Sequence, residues 1–170
     1  MKKELWYIGG AAALALFFFG TSKALSMNAT ATANKIVDEI GDEIKASAAR
    51  WSIPWRRIAA HVYTESSGNA SATGAAGERG LMQLKPVALA DVNANTGSNF
   101  SFADMYDPVQ NIRAGSAFLA LQLKRVRSAG LGDIDSASQA FNAGFRAFQL
   151  DNTKGLAYLS KVKEKETFFA

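Results

Sequence analysis

Pro54-Trp55-Arg56-Arg57-Ile58-Ala59-Ala60-His61-Val62-Tyr63-Thr64-Glu65-Ser66 is the stretch on which the fold turns. Each helical residue advances by about 100°, so Trp55, Ile58, Ala59 and Val62 share one face. Glu65 falls at the edge of that face and Ser66 near its middle. Ahead of it, Ser52-Ile53-Pro54 breaks and restarts the chain, with Ser52 suited to a cap and Pro54 to a first turn. The pattern predicts a helix from about Pro54 to Ser66 that ends on a carboxylate. Residues 67–80 then bring four glycines, Gly68, Gly74, Gly77 and Gly80, among small residues. That composition predicts a tight, irregular segment with room for a short hairpin.

Upstream, Ile36, Val37, Ile40, Ile44, Ala48 and Trp51 recur at spacings of three and four, which predicts a helix from Lys35. Downstream, a short helix is expected after Pro86 and a loop over residues 96–107. A long helix is expected from near Pro108, with Ile112, Gly115, Phe118, Leu119 and Val126 inward, ended by Gly130 to Gly132. Another starts after Asp133 or Asp135 and stops at Gly144. The last runs from about Thr153 to Phe168, with Leu156, Leu159 and Val162 inward. The fold class is mainly α, a single globular domain over residues 35–170 with one glycine-rich excursion.

The first 23 residues read differently. Lys2 and Lys3 precede an apolar run from Leu5 to Gly20, and Lys23 closes it. A run of 16 residues is slightly short for a membrane span, and Thr21 and Ser22 extend it. The same pattern suits a secretory signal, with Ala24-Leu25-Ser26 as a cleavage site. A retained anchor through residues 5–22 is favoured, because Phe17, Phe18 and Phe19 carry the apolar stretch to its far end. Either reading sends the rest of the chain to the periplasmic or cell-wall side, since the positive charge stays inside. Residues 24–34, small and polar without periodicity, read as a tether or a frayed helix start.

Composition excludes several chemistries. The chain has 170 residues, enough for one domain with a core. It has no cysteine and one histidine, which excludes disulfides, thiolate metal sites and a zinc site built on two histidines. The net charge of +4 suits an anionic wall or membrane surface and is too small and scattered to argue for nucleic acid.

Glu65 is the candidate for chemistry, and its plainer reading is a solvated glutamate at a helix end. A glycosidic bond breaks through an oxocarbenium-like transition state, and its leaving oxygen needs a proton. A carboxylic acid supplies one near neutral pH if an apolar wall disfavours its charged form. Glu65 ends an apolar helix face and precedes glycines that let a strand approach the backbone. Three further segments follow in order: Gly80-Leu81-Met82-Gln83, Ala140-Phe141-Asn142-Ala143-Gly144, and Tyr158-Leu159-Ser160-Lys161-Val162. Between them stands Tyr106-Asp107-Pro108-Val109-Gln110-Asn111-Ile112, then Gly115 and Leu119. Together with Glu65-Ser66, fifteen positions before Gly80, this set resembles the soluble lytic transglycosylase family over roughly residues 50–163.

The resemblance implies an α+β lysozyme-like fold and a lyase reaction on bacterial peptidoglycan. Glu65 would protonate the oxygen between N-acetylmuramic acid and N-acetylglucosamine. It would then act as base on the muramic acid 6-hydroxyl, which closes onto C1 to give a 1,6-anhydro sugar. No metal or cofactor is implied. By the same resemblance Gln83 and Asn142 would hydrogen-bond the sugars. Met82 and Phe141 would line the groove and Tyr158 would sit near the acid. Each residue has a plainer reading: core for Met82 and Phe141, a helix cap for Asn142, a loop hydrogen bond for Gln83, packing for Tyr158. Ser66 is expected to pack or cap locally. His61, four residues before Glu65, is expected at the surface.

Three positions depart from the family pattern. Phe141 stands where a tyrosine is common, Gly74 where a serine is common, and Glu78 where a small residue is usual. Glu78 within about 5–9 Å of Glu65 would permit ordinary hydrolysis, which is the first alternative. The second is an inactive peptidoglycan-binding assembly protein. A short domain on one anchor suits local opening of the wall by a secretion or conjugation apparatus, or by a phage virion.

Overall fold

Apolar spacings of three and four become seven α-helices in the computed structural model, which describes residues 10–169, with side chains from residue 26. These are α1 (Gly10–Trp51), α2 (Trp55–Ser66), α3 (Pro86–Thr96), α4 (Pro108–Ser128), α5 (Ile134–Ala143), α6 (Phe145–Leu150) and α7 (Leu156–Glu166). α2 packs between α1 and α7, while α4 packs on α1, α3 and α5. Ile44, Ile58, Val62, Met82, Ile112, Leu119 and Val126 are fully enclosed where these faces meet. Burying a side chain of this size contributes roughly 1.5–3 kcal/mol.

The expected single-domain, mainly helical architecture holds. The glycine-rich excursion carries only isolated antiparallel bridges, Thr73 with Arg79 and Arg79 with Leu84. No strand is present among the described residues, because Gly74, Gly77 and Gly80 turn the chain before any run is long enough for a ladder. Residues 96–107 are not all loop, since Phe102–Tyr106 forms a 3-10 helix capped by Ser101.

Of the two readings of residues 24–34, a tether or a helix start, the structure has the helical one. These residues lie within α1, where Thr30 and Thr32 donate their hydroxyls to the carbonyls of Ser26 and Asn28. Alanine has the best intrinsic helix propensity, and Ala33 and Ile36 already pack in the core. Among the described residues no helix is long and apolar enough to cross a membrane. The first nine residues, with the start of the expected span, lie outside the described ones.

The break before α2 is real, but its chemistry differs. Ser52 does not cap α2. It takes φ 53° and closes α1, with Ile53 N–H bonded back to the Ala48 carbonyl at 3.1 Å. Ile53 then buries its side chain, the hydrophobic contact that accompanies such an ending. Pro54 stands one residue ahead of α2 and offers its carbonyl to Arg57 and Ile58.

Near the C-terminus a helix unforeseen in the sequence, α6, follows Gly144 at once and buries Phe148. α7 begins at Leu156 rather than Thr153, and Leu156 is exposed rather than inward. Gly155 sets this start. At φ 80° its backbone passes so close to Gln139 that a Cβ would fall 2.7 Å from the Gln139 carbonyl oxygen. Gln139 holds the approaching chain by donating to the Asn152 and Lys154 carbonyls. The contact fixes where α7 leaves α5 and therefore where Tyr158 stands.

Candidate active site

Glu65 sits in the last turn of α2, and its neighbour anchors that turn. Ser66 Oγ lies 2.9 Å from the Leu81 carbonyl and 3.2 Å from the Val62 carbonyl. The helix end is thereby tied to the Gly80–Leu84 turn, the local packing role expected of Ser66. That turn is held from the other side by Asn111 of α4. Its Oδ1 accepts the Met82 N–H at 2.8 Å, and its Nδ2 donates to the Arg79 and Met105 carbonyls at 3.0 and 2.8 Å.

Between the turn, α3, α4 and α5 runs a groove of about 570 Å3. Glu65, Gln83, Phe141 and Asn142 all line it, as do Glu78, Lys85 and Phe118. Gln83 adopts φ 46°, and its Nε2 donates to the Ala72 and Gly80 carbonyls. Its donors are thus spent on the turn, which leaves Oε1 to accept from a ligand. Asn142 is exposed at the rim, in the last turn of α5.

One expected position needs correction. Met82 does not line the groove. It is fully buried, with its sulfur packed on Gly115, where any Cβ would collide with it. Adding side-chain volume at either position would disrupt that packing. Tyr158 stands beside the acid, as the resemblance implies, on the side away from the groove. Its hydroxyl donates to Glu65 Oε1 at 2.7 Å.

The environment of Glu65 sets its protonation. Burial pushes its pKa from 4.5 up to about 7; the Tyr158 hydrogen bond and the Lys85 charge pull it down, and the Glu78 charge pushes it up. The apolar wall is aromatic. Phe141 stacks nearly parallel to Tyr158, with centroids 6.5 Å apart, and meets Phe118 at 5.2 Å and His61 at 4.8 Å. Phenylalanine at position 141 adds no hydroxyl to this wall. The carboxyl is thus a proton donor at neutral pH beside an open groove, which suits general acid catalysis.

The departures at positions 74 and 78 are one feature. A Cβ at Gly74 would fall on the Glu78 carboxylate and lie 2.8 Å from Gln83 Oε1. The missing side chain makes room for Glu78. One Glu78 oxygen pairs with Lys85 Nζ at 2.9 Å and the other accepts the Ala76 N–H at 3.0 Å. These bonds hold its pKa below the usual carboxylate range, the Lys85 hydrogen bond foremost. Glu78→Gln should therefore lower the Glu65 pKa by removing a like charge, and shift the alkaline limb of activity to lower pH. A pH–rate profile of the variant checks this, and an unmoved limb contradicts it.

The expectation that His61 lies at the surface is wrong. His61 is fully buried, with Nδ1 2.8 Å from the Tyr158 hydroxyl and Nε2 3.0 Å from Ser138 Oγ. Behind it Arg57, also buried, bonds Ser138, Asp135 and Glu166. The signal in the sequence was the i, i+4 spacing of His61 and Glu65. The bridging Tyr158 is 93 positions away from Glu65 and could not be read from that spacing.

Comparison with known proteins bears on the same region. The family model described as "Transglycosylase SLT domain" matches residues 42–162. A transglycosylase of Enterobacteria phage PRD1 is 36% identical over 103 residues, 61% of this chain and 34% of that protein. A membrane-bound lytic murein transglycosylase F of Yersinia enterocolitica is 36% identical over 95 residues, 55% of this chain and 18% of its own length. The aligned part is thus about a third of the first of these relatives and under a fifth of the second. The 70 kDa soluble lytic transglycosylase of Escherichia coli shares the fold with a TM-score of 0.63 at 19% identity, over 76% of this chain and 24% of that one. Lytic transglycosylase Slt of Pseudomonas aeruginosa gives 0.58 at 22% identity, over 77% of this chain and 22% of that one.

Proposed function

We propose, from the premise that this chain belongs to the transglycosylase SLT domain family, that it is a peptidoglycan lytic transglycosylase with Glu65 as its acid. The observation that carries the reading is a carboxyl with a pKa raised to about 7 that lines an open groove. In the ground state Glu65 holds a proton. It delivers that proton to the oxygen between N-acetylmuramic acid and N-acetylglucosamine as the bond lengthens. The resulting carboxylate then takes the proton of the muramic acid 6-hydroxyl, whose oxygen closes onto C1. One carboxyl serves both steps, and the product is a 1,6-anhydro sugar formed without water.

Gln83 Oε1 and the Asn142 amide would hydrogen-bond the sugars and Phe118 and Phe141 would face the rings, a reading supported by all four lining the groove. Sugar rings carry both kinds of surface, and so does this groove. The setting we propose is the cell-wall side of a bacterial membrane, with the apolar stretch 5–22 as anchor, or the virion of a phage that crosses the wall. Partners in a secretion apparatus or virion belong to the same proposal.

Ordinary hydrolysis has one observation in its favour: Glu78 lines the same groove and its charge is felt at Glu65. Against it, both Glu78 oxygens are already engaged. Mass spectrometry of fragments released from purified sacculi by the full chain separates the readings. Anhydro-muramic ends are expected. Reducing ends, heavier by one water, would assign a hydrolase and make Glu78 its second carboxylate. Binding to sacculi with no fragments would instead favour a binding protein.

A further inference from the structure

The groups behind Glu65 form one unbroken chain of hydrogen bonds. Arg57 Nη1 lies 3.1 Å from Ser138 Oγ. Ser138 Oγ lies 3.0 Å from His61 Nε2, His61 Nδ1 2.8 Å from Tyr158 Oη, and Tyr158 Oη 2.7 Å from Glu65 Oε1. The chain draws on α2, α5 and α7 and reaches the groove only at Glu65. Each of its middle members has one hydrogen to give when His61 is neutral, so the direction of the His61–Tyr158 bond sets that of Tyr158–Glu65, while the Ser138 hydrogen has two acceptors in reach, His61 Nε2 and the Ile134 carbonyl, each at 3.0 Å. His61 is neutral: burial, and then the Arg57 charge, lower its pKa to about 3.

Two arrangements are open to such a chain. In one, the imidazole proton is on Nδ1. His61 then donates to Tyr158, Tyr158 donates to Glu65 Oε1, and Nε2 accepts the Ser138 hydroxyl, which turns from the Ile134 carbonyl and leaves it to Arg57 Nη1 at 3.4 Å. In the other, the proton is on Nε2 and Tyr158 donates to Nδ1. The Tyr158 oxygen then turns its lone pairs to Glu65 Oε1. At 2.7 Å that contact is repulsive unless Oε1 itself carries the acid's proton, which then points at Tyr158 and away from a substrate. The tautomer of His61 therefore decides which oxygen of the carboxyl is protonated.

The surrounding charges select the first arrangement. The Arg57 guanidinium stands on the Nε2 side, where it favours a lone pair over an N–H. Arg57 is itself balanced by Asp135 of α5 and Glu166 of α7, and Asp135 also pairs with Lys163. On the Nδ1 side stand Tyr158 and the carboxyl of Glu65, which in turn feels Glu78 and Lys85 from the turn before α3. An N–H pointing that way is favoured. Phe141 covers the ring from α5.

We propose that His61, as its Nδ1–H tautomer, is a positioning residue that holds the Tyr158 hydroxyl as a donor to Glu65 Oε1 and so confines the acid's proton to Oε2. Ser138 and Arg57 hold the tautomer. Oε1 then accepts from Tyr158 both before and after proton delivery, and no reorganisation is needed between the acid and base steps. The proposal rests on Glu65 being the acid of the transglycosylase reading.

The chain has a single histidine, so nitrogen-15 spectroscopy of the full protein reads its tautomer without assignment. A proton on Nδ1 and an unprotonated Nε2 are expected, unchanged across the neutral pH range. Tyr158→Phe, which removes the acceptor at Nδ1, should move the proton toward Nε2. An Nε2–H tautomer or an even mixture in the unaltered protein overturns the proposal. In kinetics, His61→Leu should lower kcat on the order of tenfold with KM unchanged. His61→Asn, which keeps an N–H for Tyr158, should recover most of the loss. Equal losses in two folded variants overturn the proposal. The spectrum of the unaltered protein decides the matter even where a variant fails to fold. Unaltered protein that releases no fragments overturns the enzymatic reading instead, because the spectrum needs no substrate.

Discussion

Glu65→Gln is expected to lose glycan cleavage by about four orders of magnitude while the protein becomes more stable at neutral pH. Activity falls because the amide neither delivers a proton nor takes one back, and the proposed reaction asks Glu65 for both. Stability rises because the unaltered site is strained by ionisation. The native pKa of about 7 lies above the ordinary 4.5, so between those values the folded protein binds the proton more tightly than the unfolded chain. The contribution is complete below about pH 4.5 and is lost as pH rises through 7. Its full size is about 3 kcal/mol, from 1.36 kcal/mol for each pKa unit. An amide keeps the Tyr158 bond without this charge, and recovers on the order of 1–3 kcal/mol above pH 7. Thermal denaturation of both proteins at pH 5 and pH 8, beside an activity assay, checks this. A variant that is less stable at pH 8, or one that still cleaves sacculi, contradicts it. In the unaltered protein the proposed activity should fall as pH rises past about 7, where Glu65 loses its proton.

Asn111→Ala should be the most damaging change outside the groove. Asn111 is wholly buried and serves three backbone groups at once. Its removal strands the Met82 N–H and the carbonyls of Arg79 and Met105, and leaves a cavity beside Gly80. Each stranded buried group costs about 1–3 kcal/mol, so a total of about 3–5 kcal/mol is expected. For a domain of this size that lowers Tm by roughly 10 °C. The turn carrying Gln83 loses its anchor, so KM should rise in whatever fraction still folds. Asn111→Asp should be no better. A carboxylate accepts from Met82 but cannot donate to two carbonyls, and it would be buried without a partner. Calorimetry of the three proteins checks the order, and a stable Asn111→Asp protein would mean that packing, not hydrogen bonding, holds the turn.

The helices were legible wherever one residue pattern outlasted two turns. The α2 face, the Pro86 and Pro108 starts and the Asp133 cap all followed from local sequence, because period, proline and capping chemistry act within a few residues. Residues 24–34 left a tether and a helix start both open, because small polar side chains resemble a linker. The threonines satisfy their own hydroxyls on the preceding turn, and Ala33 and Ile36 reach the core. α6 was invisible because six residues are too few to show a period.

Of the candidate site, the sequence by itself determined the glutamate at the end of α2, the turn with Gln83, and Phe141 and Asn142 at the end of α5, since each lies on one contiguous motif. Only the tertiary structure decided what surrounds them. It sank Met82 beneath the groove, because Gly115 of α4 leaves a space that a thioether fills. It placed Tyr158 behind the acid, because Gly155 presses α7 against α5. It moved His61 from the expected surface to the centre, because α2 is covered on one side by α1 and on the other by α7. Burial and hydrogen bonds between distant segments set the proton affinity of Glu65, and no local spacing encodes them.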